Sequence, residues 1–339
     1  MSKNVICFDY ARKKGLYMLF EKSVKKRYCA SLFRRADLTD DVKYFTAADF
    51  AGLIREEYKF TSHAGYILSG QFYYYENPIR ERIVVFEHGM GNGGHRSYLR
   101  EIEVLARAGY KVFAYDHTGT AESEGKTLGG LAQSLSDLDG CLETLKSDAD
   151  YSSCKFSVVG HSWGGYSALN ILALHPDVAH VVAISGFISV ADMHKQILHG
   201  FLAFYRKAAY DIEMNANPKY APFSAADTLL ATDSQVLIIA SDNDKVVKTK
   251  RHYDSLRKKL SKKKNIRFLL VKGRDHNPNY TRDAVLYKRI FMKRLSKMRK
   301  SGLLDTVEQK QKFISEFDWW RMTEQDEAVW YEILKTLDK

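Results

Sequence analysis

The sequence predicts an α/β protein, a mostly parallel sheet covered by helices on both faces. Three observations carry this. From about residue 56 on, apolar runs of strand length alternate with helix-length segments. The runs at 82–87, 155–159 and 235–240 are apolar without alternation at their centres, as strands buried on both faces are. The only Gly-x-Ser-x-Gly in the chain, Gly160 to Gly164, lies between one such run and a helix-like segment.

The elements follow in order. The first fifty residues read as basic and helical, with Leu16, Leu19, Phe20 and Tyr28 on one face. Such a helix packs back on its own domain or lies on a membrane surface, and the first is the expectation. Strands are expected at 57–60 and 66–75, with Gly65 at the turn between them, and at 82–87. A glycine-rich loop leads to a helix over 96–108, which Gly109 ends, and a strand covers 110–115. A helix is expected over 128–145 and a strand over 155–159, then a helix over 162–174 that stops before Pro176. The remaining strands are 180–184, 235–240 and 266–271. Residues 187–228 are too long for an ordinary connection, read as helical and carry Phe201, Phe204, Tyr205 and Tyr210. From residue 301 the chain reads as amphipathic helices. Phe313, Phe317 and Trp320 share one face, and Trp330, Ile333, Leu334 and Leu337 another. Thr323 with Asp326 has the form of a helix-start capping box. This divides the chain into a basic N-terminal extension (1–55), a core (56–300) and a helical tail (301–339).

Lysine and arginine outnumber aspartate and glutamate 52 to 41, a formal net charge of +11. The excess clusters at both ends of the core, including Arg12 to Lys14 and Lys262 to Lys264. No nucleic-acid motif accompanies it, so solvated faces are the expectation and nucleic acid is not an expected partner. Cys7, Cys29, Cys141 and Cys154 form neither a C-x-x-C pair nor a zinc spacing. Reduced thiols in a cytoplasm fit them, and no metal or cofactor is expected. Asp9 and Arg12 to Lys14 interrupt any signal-peptide-like apolar run. No stretch approaches the roughly 20 apolar residues of a membrane span.

The chemistry concentrates at Ser162. A sharp strand-to-helix turn forces it into a strained conformation that only small neighbours permit, and lifts its oxygen clear of the backbone. A serine hydroxyl needs a base, and the base an acid to orient it, in the chain order serine, acid, histidine. Asp242 and Asp244 follow the strand at 235–240 as candidate acids. Two histidines lie beyond. His252 falls in a basic helix-like segment, whereas His276 follows the last strand in a loop, where a catalytic base belongs. Backbone N–H groups of Trp163 and of Met90, within His88 to Gly94, are placed to form an oxyanion hole. That loop lacks the Gly-Lys-Ser/Thr ending of a nucleotide phosphate loop.

From about residue 56 to residue 294 the chain resembles α/β-hydrolases of the serine aminopeptidase (S33) and monoacylglycerol-lipase-like group. His88 to Gly91, Tyr115 to Thr120 with Ser123 to Gly125, the Ser162 turn, Asp244 to Val247 and His276 carry the resemblance. It implies the α/β-hydrolase fold, with about eight strands and a helical cap inserted after the sixth, which 187–228 matches. It favours Asp244 over Asp242 as the acid. The acidic residues with which aminopeptidases of the group hold a substrate amine have no clear match. The expected function is a serine hydrolase cleaving small to medium acyl esters, with Phe201, Phe204 and Tyr205 lining the acyl pocket. Peptidase, thioesterase or acyltransferase chemistry on the same triad remains open, as does a non-catalytic binding role on the same scaffold.

Overall fold

Side chains alternate along the strands and sort onto the two faces of one eight-stranded sheet. The structure, a computed structural model, describes residues 22–79 and 81–338. The expected helical face at Leu16, Leu19 and Phe20, and the basic cluster at 12–14, lie outside them. The strands are β1 (Ile54–Thr61), β2 (Ile67–Tyr74), β3 (Arg82–Glu87), β4 (Lys111–Tyr115), β5 (Lys155–His161), β6 (His180–Ile184), β7 (Gln235–Ser241) and β8 (Ile266–Val271). Their spatial order is β1-β2-β4-β3-β5-β6-β7-β8. β2 is antiparallel to β1 and to β4, and all other neighbours are parallel.

The described part of helix α1 covers residues 22–32. Then come α2 (Leu99–Arg107), α3 (Gln133–Ser147) and α4 (Trp163–Asn170). Between β6 and β7 lie α5 (Val190–Ile197), α6 (Arg206–Ala216) and α7 (Ala225–Ala231). The last five are α8 (Tyr253–Lys259), α9 (Arg282–Lys300), α10 (Val307–Ser315), α11 (Trp319–Met322) and α12 (Glu327–Leu337).

One face of the sheet, through Val85, Phe113, Val158, Val181 and Ile238, packs on α3, α4 and the helices between β6 and β7. Tyr28 and Leu32 of α1 join this core. The other face, through Val84, Phe86, Val159, Val182 and Ile239, packs on α2 and on Val329, Trp330, Ile333 and Leu337 of α12. The tail therefore closes the second face. Two sequence expectations for it need correction. Phe313 and Phe317 pack on Phe291, while Trp320, beyond the end of α10, turns to Phe45 and Phe50. Asp326 itself caps α12 by accepting from Val329 N–H, so Thr323 is not the cap.

The parallel strands end in register, with Glu87 opposite Gly160 and His161 opposite Ile184. Their carboxyl ends form one rim, where the loops that carry ligand-binding residues gather in open parallel sheets.

Candidate active site

Ser162 stands at that rim between β5 and α4, with φ 56° and ψ −107°. This left-handed conformation is strained for a residue with a Cβ. The neighbours explain how the turn closes. A Cβ on Gly160 would come within 2.1 Å of the Gly164 carbonyl oxygen. A Cβ on Gly164 would come within 2.1 Å of the Glu87 carbonyl oxygen. Only glycine fits either place. Ser162 N–H donates to the Ile184 carbonyl at 2.8 Å and pins the turn to β6.

His276 lies in the loop after β8. Its Nδ1 is 2.7 Å from Asp244 Oδ2 and its Nε2 is 2.8 Å from Ser162 Oγ. A carboxylate only accepts, so Nδ1 carries a proton and donates it to Asp244, and Nε2 faces the serine Oγ. The Asp244 side chain is 1% exposed. Its second oxygen accepts from Val246 N–H at 2.8 Å and Val247 N–H at 3.0 Å, which fixes the carboxylate plane. Asp242 instead accepts from Gly273 N–H at 2.8 Å and shapes the histidine loop.

Trp163 opens α4, so its N–H belongs to a first turn whose N–H groups have no acceptor inside the helix. Its indole N–H donates to the Leu131 carbonyl at 2.7 Å. Met90 is half-buried in the loop after β3. His88 holds that loop from within. Its Nδ1–H donates to the Gly89 carbonyl at 2.8 Å and its Nε2 accepts from His117 N–H at 3.1 Å. Burial pushes His88 down to about 3, so it stays neutral with both nitrogens in use. The far end of the loop is tied to Asp116, which accepts from His95 N–H at 2.9 Å and from its ring Nδ1–H at 2.7 Å.

Two residues of the site escaped the sequence reading. His161 Nε2 is 2.8 Å from the His276 carbonyl oxygen, and His161 Nδ1 is 2.9 Å from Tyr98 Oη. The one available signal was the position of His161 inside the glycine motif. Tyr98 carried none, because its approach depends on how α2 meets the sheet.

The three aromatics expected to line the acyl pocket do not gather. Phe201 and Phe204 are 66% and 74% exposed, whereas Tyr205 is 5% exposed. A cavity of about 440 Å³ that Met90 does line lies elsewhere, between the loop after β3, residues 39–45 and the C-terminal helices.

Residues 78–228 match the family model described as serine aminopeptidase, S33. The match includes the loop at Met90 and the Ser162 turn. An esterase of Pyrococcus furiosus is similar in structure, with 18% identity and a TM-score of 0.56 over 79% of this chain and 98% of that one. The chain has the α/β-hydrolase fold. A second member of this fold, Est1E from Butyrivibrio proteoclasticus with ferulic acid bound, shares 18% identity at a TM-score of 0.52. That likeness covers 65% of this chain and 90% of Est1E. No helix among the described residues is long and apolar enough to cross a membrane.

Proposed function

We propose that this α/β-hydrolase is a serine esterase that cleaves small to medium acyl esters through an acyl-enzyme on Ser162. One observation carries the reading: the unbroken line from Asp244 Oδ2 through the His276 ring to Ser162 Oγ, with bonds of 2.7 and 2.8 Å. As Oγ attacks the ester carbonyl, His276 Nε2 takes its proton and Asp244 stabilises the imidazolium. The N–H groups of Met90 and Trp163 receive the oxyanion. His276 then returns the proton to the leaving alcohol. Water, activated by the same nitrogen, releases the acid and restores the serine.

A fluorophosphonate probe tests this. The expected result is one label per chain, on Ser162, with Ser162→Ala losing both the label and turnover of p-nitrophenyl butyrate. A label that survives the substitution overturns the assignment.

An ester rather than a peptide substrate is supported by the charge beside Met90. Among the described residues the cavity there is lined by five basic side chains and no carboxylate, so it offers no anion to hold a substrate's amino terminus.

A further inference from the structure

That charge has a second consequence. Met90 and Asn92 of the loop after β3 form one wall of the 440 Å³ cavity, and Tyr280, four residues beyond His276, forms another. Its body is apolar, built from Phe45, Phe291, Leu295 and Trp319. Volume and lining are those of a small-molecule site. The basic side chains divide into two kinds. Arg299 is held by both oxygens of Asp41, at 2.5 and 2.6 Å, Arg96 is bonded to Glu122, and Lys43 stands 3.6 Å from Asp49. Arg100 and Lys288 have no carboxylate within ion-pair distance among the described residues. Arg100 lies over the Trp320 ring at 4.5 Å, and its Nε is buried without a hydrogen-bond partner. Lys288 lies over the Tyr280 ring at 4.9 Å and donates to Asn277 Oδ1 at 3.3 Å.

The acidic group that acts on Lys288 is Glu101, which does not line the cavity. It is buried and accepts from Asn279 at 3.2 Å. Burial pushes the Glu101 carboxyl up and the Lys288 ammonium down. Glu101 offsets the burial of the Lys288 charge only in part, and an anion entering the cavity beside Lys288 and Arg100 would supply the rest.

We propose that this cavity binds an anionic amphiphile, with an apolar body against Phe291, Leu295 and Trp319 and a carboxylate or phosphate between Arg100 and Lys288. Given the esterase reading of Ser162, on which this part rests, the bound molecule is the substrate: an ester that carries an acidic group remote from the scissile bond. Arg100 supplies a planar fork to the acidic group and Lys288 a point charge.

The test is calorimetric titration of the full chain with octanoate, octyl phosphate and octanol, repeated on Ser162→Ala. Both anions are expected to bind at least tenfold more tightly than octanol, and the tighter of them identifies the acidic group. Lys288→Met and Arg100→Gln should each weaken the anions five- to fifty-fold and leave octanol unchanged. Met292→Trp, which fills the cavity from its rim, should weaken all three, and this keeps the test open should loss of the Arg100 stack impair folding. Equal affinity for octanol, or anion affinity indifferent to Lys288→Met and Met292→Trp, overturns the proposal. Binding needs no turnover. Anion binding in a protein that no fluorophosphonate labels would retain the cavity and remove the esterase, while labelling without anion preference would do the reverse.

Discussion

His161 Nε2 stands 2.8 Å from the backbone carbonyl oxygen of His276. A carbonyl only accepts, so Nε2 carries the proton. Burial, with the nearby His276 ring, holds His161 well below its ordinary value, so the ring is neutral and Nδ1 is bare. Nδ1 therefore accepts from the Tyr98 hydroxyl at 2.9 Å. The bonds run from the residue that precedes α2 through the glycine motif to the histidine loop and fix where the His276 ring begins.

This makes His161 a positioning residue. His161→Phe leaves the His276 carbonyl without its donor, at a cost of about 1–3 kcal/mol. The expected kinetic result is a fall in kcat on the order of tenfold with KM little changed, since geometry and not binding is lost. His161→Gln, which can both donate and accept, should recover more of kcat than it recovers of Tm. Equal kcat in wild type and His161→Phe would refute the positioning role.

The two aspartates after β7 should separate in the same assay. Asp244→Asn removes the charge that stabilises the imidazolium and should lower kcat by roughly 10²–10⁴. Asp242→Asn keeps an oxygen to accept Gly273 N–H and should change kcat only a few-fold. The reverse ranking of the two variants would mean that the acid is misassigned.

Sequence located these residues unevenly, for physical reasons. The Ser162 turn was legible because Gly160 and Gly164 mark places where any Cβ would lie 2.1 Å from a backbone oxygen. The strands were legible because burial on both faces leaves unbroken apolar runs. Helix α12 was legible as amphipathic, but its partner was not, since periodicity shows that a face is buried and not against what. The same holds for Tyr28, whose contact with α6 spans 185 residues. Phe201 and Phe204 differ again: aromatic content suggested a pocket, and both side chains are mostly exposed.

The loop that carries Met90 should respond to acid through Asp116. Burial would raise this carboxyl, but His95 and the backbone bonds outweigh it and hold the pKa at about 2, against 3.8 unperturbed. A depressed carboxyl contributes stability above its unfolded pKa and loses it as pH falls through the folded value. The contribution is on the order of 2 kcal/mol, present at neutral pH and lost between about pH 4 and pH 2. Asp116→Asn should therefore lower Tm at pH 7, and the gap from wild type should close across that window. A gap that is constant from pH 7 to pH 2 would show that the charge of Asp116 contributes nothing.

The last prediction separates the two kinds of residue in the segment between β6 and β7. Glu213 of α6 accepts from Tyr28 Oη–H at 2.5 Å, from Leu131 N–H at 2.9 Å and from Ala132 N–H at 3.2 Å. Leu131 in turn accepts from the Trp163 indole at 2.7 Å, so one carboxyl joins α1, α6 and the residue after Ser162. Glu213→Ala leaves the buried Leu131 and Ala132 N–H groups without an acceptor, each loss worth about 1–3 kcal/mol, while Tyr28 Oη keeps His194 Nε2 at 2.6 Å. Tm should fall by roughly 5 °C or more. Glu213→Gln retains an acceptor and should fall less. Phe201→Ala and Phe204→Ala remove rings that are mostly solvated, so Tm should stay within about 1 °C of wild type. If these rings close over a bound acyl chain, the same two variants will shift preference along a p-nitrophenyl ester series from acetate to decanoate. If the preference stays put, chain length is read elsewhere, and Met292→Trp in the cavity beside Met90 should be the variant that shifts it.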